Sequence, residues 1–384
     1  KRDGMTILGM QYFPDGFDED RKYAAVIVSH GFTGNYTDMA EYCRAFAGEG
    51  YAAFSFSFCG GGVSAERVGI QSEGRTTDMT ISTEVKDLLA VKNFVTGQSF
   101  VDKENLILAG GSQGGFVSGL AAAKCGNEIK KLIMIYPALC IPDHARRGCL
   151  GGSKYDSDNV PEIIDCGVTM LGKAMHEDVA DMDPYLELSA YQGPVLILQG
   201  LADEIVNYSY AVRAKENYKK GQCHLQLIRD VGHGFDAGQF ESAFASIRQF
   251  LKEREEILTI RVIITHSEKF EEDGVHKTHI YFTGYCDTEY FQGTILPEGC
   301  DVREYDPETS EKVRAEYTLA GIDSKGEKCS IRIVNKQGEK DWKPEVETDS
   351  PILSWMNHAD LTAVLENGNG GPTVRIFADR RAES

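Results

Sequence analysis

No stretch of this 384-residue chain approaches the roughly 18 to 20 consecutive apolar residues that a bilayer-spanning helix needs, so a membrane-spanning protein is not expected. The opening Lys1-Arg2-Asp3-Gly4 does not lead into the apolar stretch of a signal peptide. It opens on Lys rather than Met, which leaves a removed leader open. Basic residues are the minority, 40 Lys and Arg against 59 Asp and Glu. The resulting formal charge of −19 would repel a phosphate backbone and argues against nucleic acid and anionic membranes as partners. The ten cysteines include no C-x-x-C pair and no Cys/His group at zinc spacing. They read as reduced thiols and make the cytoplasm the expected location. No metal or organic cofactor is implied, and neither an internal repeat nor a low-complexity tract is present.

What is there is ordinary globular material, 42% hydrophobic and 26% charged, in a chain longer than one core usually grows. Two domains are expected. From Tyr23 to about Glu256 short apolar runs alternate with amphipathic segments, the pattern of an α/β fold with a mostly parallel sheet. The strand candidates are 24–28, 52–56, 106–109, 132–136, 195–198 and 225–228, and the helix candidates about 38–48, 82–96, 114–125, 208–219 and 239–255. The interval 137–193 breaks the rhythm and reads as inserted lid or substrate material at the carboxyl ends of the strands. After Glu256 the texture turns to β-branched and aromatic strands, 260–264, 279–283, 315–319, 330–334 and 373–377, with Asp360 to Leu365 the one helix candidate. A catalytic domain over 1–255 and a smaller, barrel-like all-β domain over 256–384 are expected.

The sharpest motif is Gly110-Gly111-Ser112-Gln113-Gly114-Gly115, a G-x-S-x-G that directly follows an apolar run and precedes Phe116 to Ala123. A tight strand-to-helix turn needs glycine on both sides and lifts the serine hydroxyl above the sheet edge. The bland alternative is a glycine-rich turn with an incidental serine. The flanking strand and helix favour Ser112 as a nucleophile. Its base must then follow it, because chain order in this fold is Ser, Asp or Glu, His. His233, in Gly232-His233-Gly234-Phe235 past the last strand, fits; His224 starts that strand and reads as a packing or surface residue. The orienting carboxylate should follow 195–198, where Asp203 is preferred to its neighbour Glu204. His30-Gly31-Phe32-Thr33-Gly34 follows the strand 24–28, where half of an oxyanion hole is built, so the amides of Phe32 and Gln113 are the expected donors. His30 reads as a loop brace.

These four motifs, His30 to Gly34, Gly110 to Gly115, the Asp203 loop and Gly232 to Phe235, resemble the cinnamoyl and feruloyl esterases of gut bacteria within the α/β-hydrolase superfamily. The likeness spans about residues 5 to 255. It implies hydrolysis of hydroxycinnamate or other aryl esters through an acyl-enzyme, with the insertion shaping the acyl pocket. One departure is plain: where such hydrolases often carry an acid, an Arg and a His, this chain reads Phe56-Ser57-Phe58-Cys59-Gly60-Gly61-Gly62-Val63-Ser64. Those positions brace a loop.

In the second domain Phe282-Thr283-Gly284, Tyr290 to Gly299 and Gly371 to Phe377 resemble a small all-β family of unknown function, over about 278 to 378. That resemblance supplies no catalytic residues. His276 and His279, three apart on an extended segment, point to opposite faces and read as solvated histidines rather than a metal pair. The aromatic group Tyr281, Phe282, Tyr285, Tyr290, Phe291, Trp342 and Trp355 reads as core first and as a small-molecule cavity second.

The reading is a serine carboxylesterase acting on a small-molecule ester, with self-association left open. Two rivals stand beside it: a thioesterase, amidase or carbon–carbon hydrolase using the same triad, and a small-molecule-binding protein on a hydrolase scaffold.

Overall fold

Apolar runs too short for helices settle as strands of a parallel sheet when helices cover both faces. The structure, a computed structural model, describes residues 1–61, 71–272, 275–297, 299–306, 310–337, 342–366, 368 and 371–379. Within it the chain divides into two compact units, Lys1–Phe235 and Asp236–Ser384.

The first unit begins with β1 (Gly9–Tyr12), β2 (Tyr23–Ser29), α1 (Ala40–Gly48), β3 (Ala52–Phe56), α2 (Ile81–Thr96), β4 (Val101–Gly111), α3 (Gln113–Cys125) and β5 (Lys131–Ile135). It ends with β10 (Val195–Gly200), α7 (Ser209–Asn217) and β11 (Cys223–Ile228). Between lies the insertion: α4 (Ile141–Arg146), β6 (Cys149–Leu150) paired with β7 (Ser153–Lys154), β8 (Ile163–Asp165) paired with β9 (Met170–Gly172), α5 (Lys173–Val179) and α6 (Pro184–Leu188). The seven-stranded sheet runs β1-β3-β2-β4-β5-β10-β11, parallel except for β1. This is the α/β-hydrolase fold. The sequence gives no warning of β1, because Gly-Met-Gln-Tyr on an exposed edge has no apolar run to read.

Helix α3 runs through the interior, and its small residues let neighbours come close. A Cβ at Gly119 would sit 2.3 Å from Leu188 Cδ2 and 3.1 Å from Met134 Sδ. Helix α2 starts at a reciprocal cap in which Thr80 and Thr83 each accept the other's backbone N–H.

The second unit opens with α8 (Ala237–Leu251) and continues as β12 (Arg254–Glu272), β13 (Val275–Asp287), β14 (Phe291–Ile295), β15 (Gly299–Asp306), β16 (Ser310–Asp323), β17 (Lys328–Gln337), β18 (Trp342–Thr348), β19 (Thr362–Glu366) and β20 (Thr373–Asp379). Every pairing is antiparallel. The order β12-β20-β19-β18-β17-β16-β14-β13 returns to β12 through a β12–β13 ladder, so the sheet closes into a barrel. Its core includes Leu258, Ile260, Phe291, Leu319, Ile331, Ile333 and Ile376.

Two expectations are corrected. The segment expected as helix from Asp360 to Leu365 is strand β19, whose Thr362 to Glu366 register against Phe377 to Thr373 of β20. Barrel closure outweighs the helix preference of an Ala- and Leu-bearing stretch. The boundary expected after Glu255 falls after Phe235, because α8 packs on the barrel: Thr362 Oγ1 donates to Gln249 Oε1 at 2.7 Å, and Ser242 Oγ donates to the Leu365 carbonyl at 3.5 Å.

Candidate active site

The turn between β4 and α3 puts Ser112 at φ 53° and ψ −120°, a left-handed conformation costly for a side chain. Close backbone approach holds it there. A Cβ at Gly110 would lie 2.3 Å from the Gly114 carbonyl oxygen, and one at Gly114 would lie 2.3 Å from that of His30. The carbonyl of Ser112 is also tied down, accepting from Ala138 N–H at 2.9 Å.

The structure brings the three expected triad residues into one chain of hydrogen bonds. His233 Nε2 lies 3.0 Å from Ser112 Oγ, and His233 Nδ1 lies 2.8 Å from Asp203 Oδ2. Asp203 is buried and accepts the Ile205 and Val206 amides on Oδ1 at 2.9 and 2.8 Å; the adjacent Glu204 is exposed. A carboxylate so bound fixes the tautomer that leaves Nε2 facing the serine as an acceptor.

Two holders carried no sequence signal strong enough to single them out. Gln199, fully buried at the end of β10, donates its amide to Asp203 Oδ2 at 2.9 Å and to the Val206 carbonyl at 3.1 Å. Tyr136, just past β5, lays its ring 4.9 Å from the His233 ring and meets Phe235 edge-on at 5.2 Å. Both sit at carboxyl ends of sheet strands, the one signal that would have found them.

On the oxyanion side, a Cβ at Gly31 would lie 3.2 Å from Ser112 Cβ and 3.8 Å from its Oγ, so the loop carrying Phe32 runs against the nucleophile. The amides of Phe32 and Gln113 have no acceptor among the described residues. Gln113 is the first residue of α3, where an unpaired amide favours negative charge. His30 is a brace as expected: its Nε2 accepts the Phe58 amide at 3.1 Å, so the proton sits on Nδ1, which donates to the Gly31 carbonyl at 2.7 Å. The missing acid of the Phe56 to Ser64 stretch is replaced from elsewhere. Asp87, on α2, accepts the Cys59 amide at 2.9 Å and Arg2 Nε at 2.7 Å. Gly62, Val63 and Ser64 lie outside the described residues.

Behind the nucleophile Gln113 Nε2 donates to both oxygens of the buried Glu84, at 2.9 and 2.8 Å. Burial pushes the Glu84 carboxyl up to about 8, with Asp87 and Asp178 adding to the rise and the Gln113 hydrogen bond opposing it. In front, the insertion reaches the oxyanion loop, since a Cβ at Gly151 would meet Cys166 Sγ at 2.7 Å and Phe32 Cε1 at 3.1 Å. Among the described residues no three His, Cys, Asp or Glu side chains gather as metal ligands. His224 lies in β11, paired with Leu196 of β10.

Fold and site together define a serine ester hydrolase of the α/β-hydrolase fold. Residues 20–155, about a third of the chain, match the family described as serine aminopeptidase, S33; that stretch contains Ser112 but neither Asp203 nor His233. No curated protein matches the chain. Among solved structures the chain is similar to Est1E of Butyrivibrio proteoclasticus with ferulic acid bound, at 29% identity over 65% of this chain and 96% of that one, with a TM-score of 0.59. A second structure of Est1E gives 28% identity, 65% and 95% coverage and a TM-score of 0.57. The α/β hydrolase GrgF of Penicillium sp. sh18, at 17% identity, 65% and 94% coverage and a TM-score of 0.50, shares the fold.

Proposed function

We propose that the chain hydrolyses esters of hydroxycinnamic or related aryl acids through an acyl-enzyme on Ser112. The observation that carries the substrate class is the likeness over 96% of Est1E, a protein solved with ferulic acid bound. Ser112 Oγ attacks the ester carbonyl carbon while His233 Nε2 takes its proton. The Phe32 and Gln113 amides hold the oxyanion, a role worth roughly 3 to 4 kcal/mol per donor. Collapse breaks the carbon–oxygen bond, and the alcohol leaves with the proton from His233. Water then attacks the acyl carbon as His233 Nε2 takes its proton, and collapse breaks the bond to Ser112 Oγ, which takes that proton back as the carboxylic acid leaves. Asp203 keeps His233 in the working tautomer and stabilises the imidazolium. The reading involves no cofactor, and the ten cysteines, all free thiols, support a reducing, cytoplasmic setting.

A panel of methyl ferulate, methyl p-coumarate and short alkyl esters, run beside the matched thioester, anilide and an aminoacyl amide, tests this. The highest kcat/KM is expected on the hydroxycinnamate esters. The aminoacyl arm is included because the matching family is described as a serine aminopeptidase; preference for it would replace the ester reading with a peptide one.

A further inference from the structure

The barrel of the second unit holds a small cleft that the hydrolytic chemistry does not use. It has a volume of about 60 Å³ and is walled by apolar side chains, among them Ile280, Phe282, Trp342 and Val374. Four polar side chains line the same cleft: Asp301 and Arg303 of β15, which pair with each other at 3.6 Å, Tyr317 of β16 and Asn335 of β17. Tyr317 and Asn335 are buried, at 3% and 2% exposure. Neither the Tyr317 hydroxyl nor Asn335 Oδ1 has a hydrogen-bond partner among the described residues. Buried polar atoms without partners are uncommon in folded proteins, and each costs about 1 to 3 kcal/mol of desolvation.

Their placement is a consequence of the ladder. Tyr317 pairs with Ile333 and Asn335 with Ala315, so the two are diagonal neighbours on one face of adjacent strands. Ala315 is also opposite Asp301, and its short side chain leaves open the space that a larger residue would fill. Phe282 closes one side, its ring 5.4 Å from that of Tyr317 and edge-on to it.

We propose that this cleft binds a small phenol. A phenolic O–H is both donor and acceptor: it can donate to Asn335 Oδ1 while accepting from the Tyr317 hydroxyl. Its ring then lies among Phe282, Trp342 and the aliphatic walls, where aromatic faces and edges pack favourably. The volume suits one hydroxyl-bearing ring end rather than a drug-sized ligand. A hydrocarbon of the same shape would leave both polar atoms unpaired, so the site discriminates by hydroxyl. The inference rests on the barrel alone and is independent of the substrate proposed for the hydrolase.

The test uses the full chain and 4-ethylphenol, with ethylbenzene as the control of matching shape. Both tryptophans, Trp342 and Trp355, lie in the second unit, so intrinsic tryptophan fluorescence reports on that unit. A saturable change with 4-ethylphenol is expected, with ethylbenzene at least about tenfold weaker. Tyr317→Phe should lower affinity for 4-ethylphenol about tenfold and narrow the gap between the two compounds. It should leave the melting temperature of the barrel unchanged or higher, because it removes a hydroxyl that has no partner. Asn335→Leu, which keeps the shape, should act in the same direction. Equal binding of the two compounds, no saturable signal, or a Tyr317→Phe chain that loses stability while keeping wild-type affinity would each overturn the proposal.

Discussion

The buried carboxyl of Glu84 offers a perturbation whose sign and size both follow from its surroundings. It lies fully enclosed on α2, and burial raises its pKa from 4.5 to about 8. In the unfolded chain the same group ionises near 4.5, so between these values the folded state holds a proton that the unfolded state has released. The stability this confers is complete below pH 4.5 and is lost as pH rises through about 8. At about 1.36 kcal/mol per pH unit the loss is of the order of 5 kcal/mol, a large share of a net stability of about 5 to 15. Asp87, also raised chiefly by burial, pushes in the same direction. Glu84→Gln removes the titration and keeps an oxygen for Gln113 Nε2 to donate to. Any constant penalty for the new amide leaves the pH slope of the difference untouched. The assay is a urea titration of the hydrolase unit at pH 5.5 and pH 8, followed by loss of fluorophosphonate-reactive serine so that the barrel does not contribute. The wild-type midpoint should fall by about 1 to 2 M between the two pH values, and most of that fall should vanish in Glu84→Gln. Parallel pH profiles for the two proteins would refute the reasoning and place Glu84 in a solvated, ionised environment.

Asp203→Asn should cost roughly 10⁴-fold in kcat by favouring the wrong His233 tautomer, while Glu204→Gln, at an exposed position, stays close to wild type; steady-state kinetics on one activated ester compares them. Gly114→Ala should destabilise the hydrolase unit by about 3 kcal/mol or more in a thermal melt, because its Cβ would lie 2.3 Å from the His30 carbonyl oxygen and 2.5 Å from that of Ser29. Gly151→Ala should change the ratio of feruloyl to acetyl ester turnover, since the added methyl meets Phe32 and Cys166; an unchanged ratio across an acyl series would place the pocket elsewhere.

The hydrogen-bonded cluster of Ser112, His233 and Asp203 was legible because such a cluster is tied to chain order and to turns with a compositional mark: Ser112 sits among glycines, and His233 and Asp203 follow apolar strands. The residues that hold it were not. Gln199 and Tyr136 act through distance in space, and nothing in their local sequence distinguishes a buried amide on a carboxylate from a polar residue at a strand end. Asp87 shows the same limit from the other side. The Phe56 to Ser64 stretch lacks its usual acid, but the fold supplies one from α2, 28 residues from the Cys59 amide it accepts. In the barrel, strands with clean alternation were found, whereas β14, β15 and β18 were missed and β19 was misread, because their state is set by neighbours in the ladder rather than by their own propensity. The domain boundary moved for a related reason: α8 reads as the last helix of an α/β pattern, and its packing on β12 and β19 groups it with the barrel.

The central claim is that ester cleavage passes through an acyl group on Ser112. Rapid quenching of the wild-type chain with an activated aryl ester, followed by intact mass and peptide mapping, tests it most directly. One acyl group per chain, formed in a burst and mapped to Ser112, is expected, with neither the adduct nor measurable turnover in Ser112→Ala. An acyl group on another residue, or near wild-type turnover by a folded Ser112→Ala chain, would contradict the account.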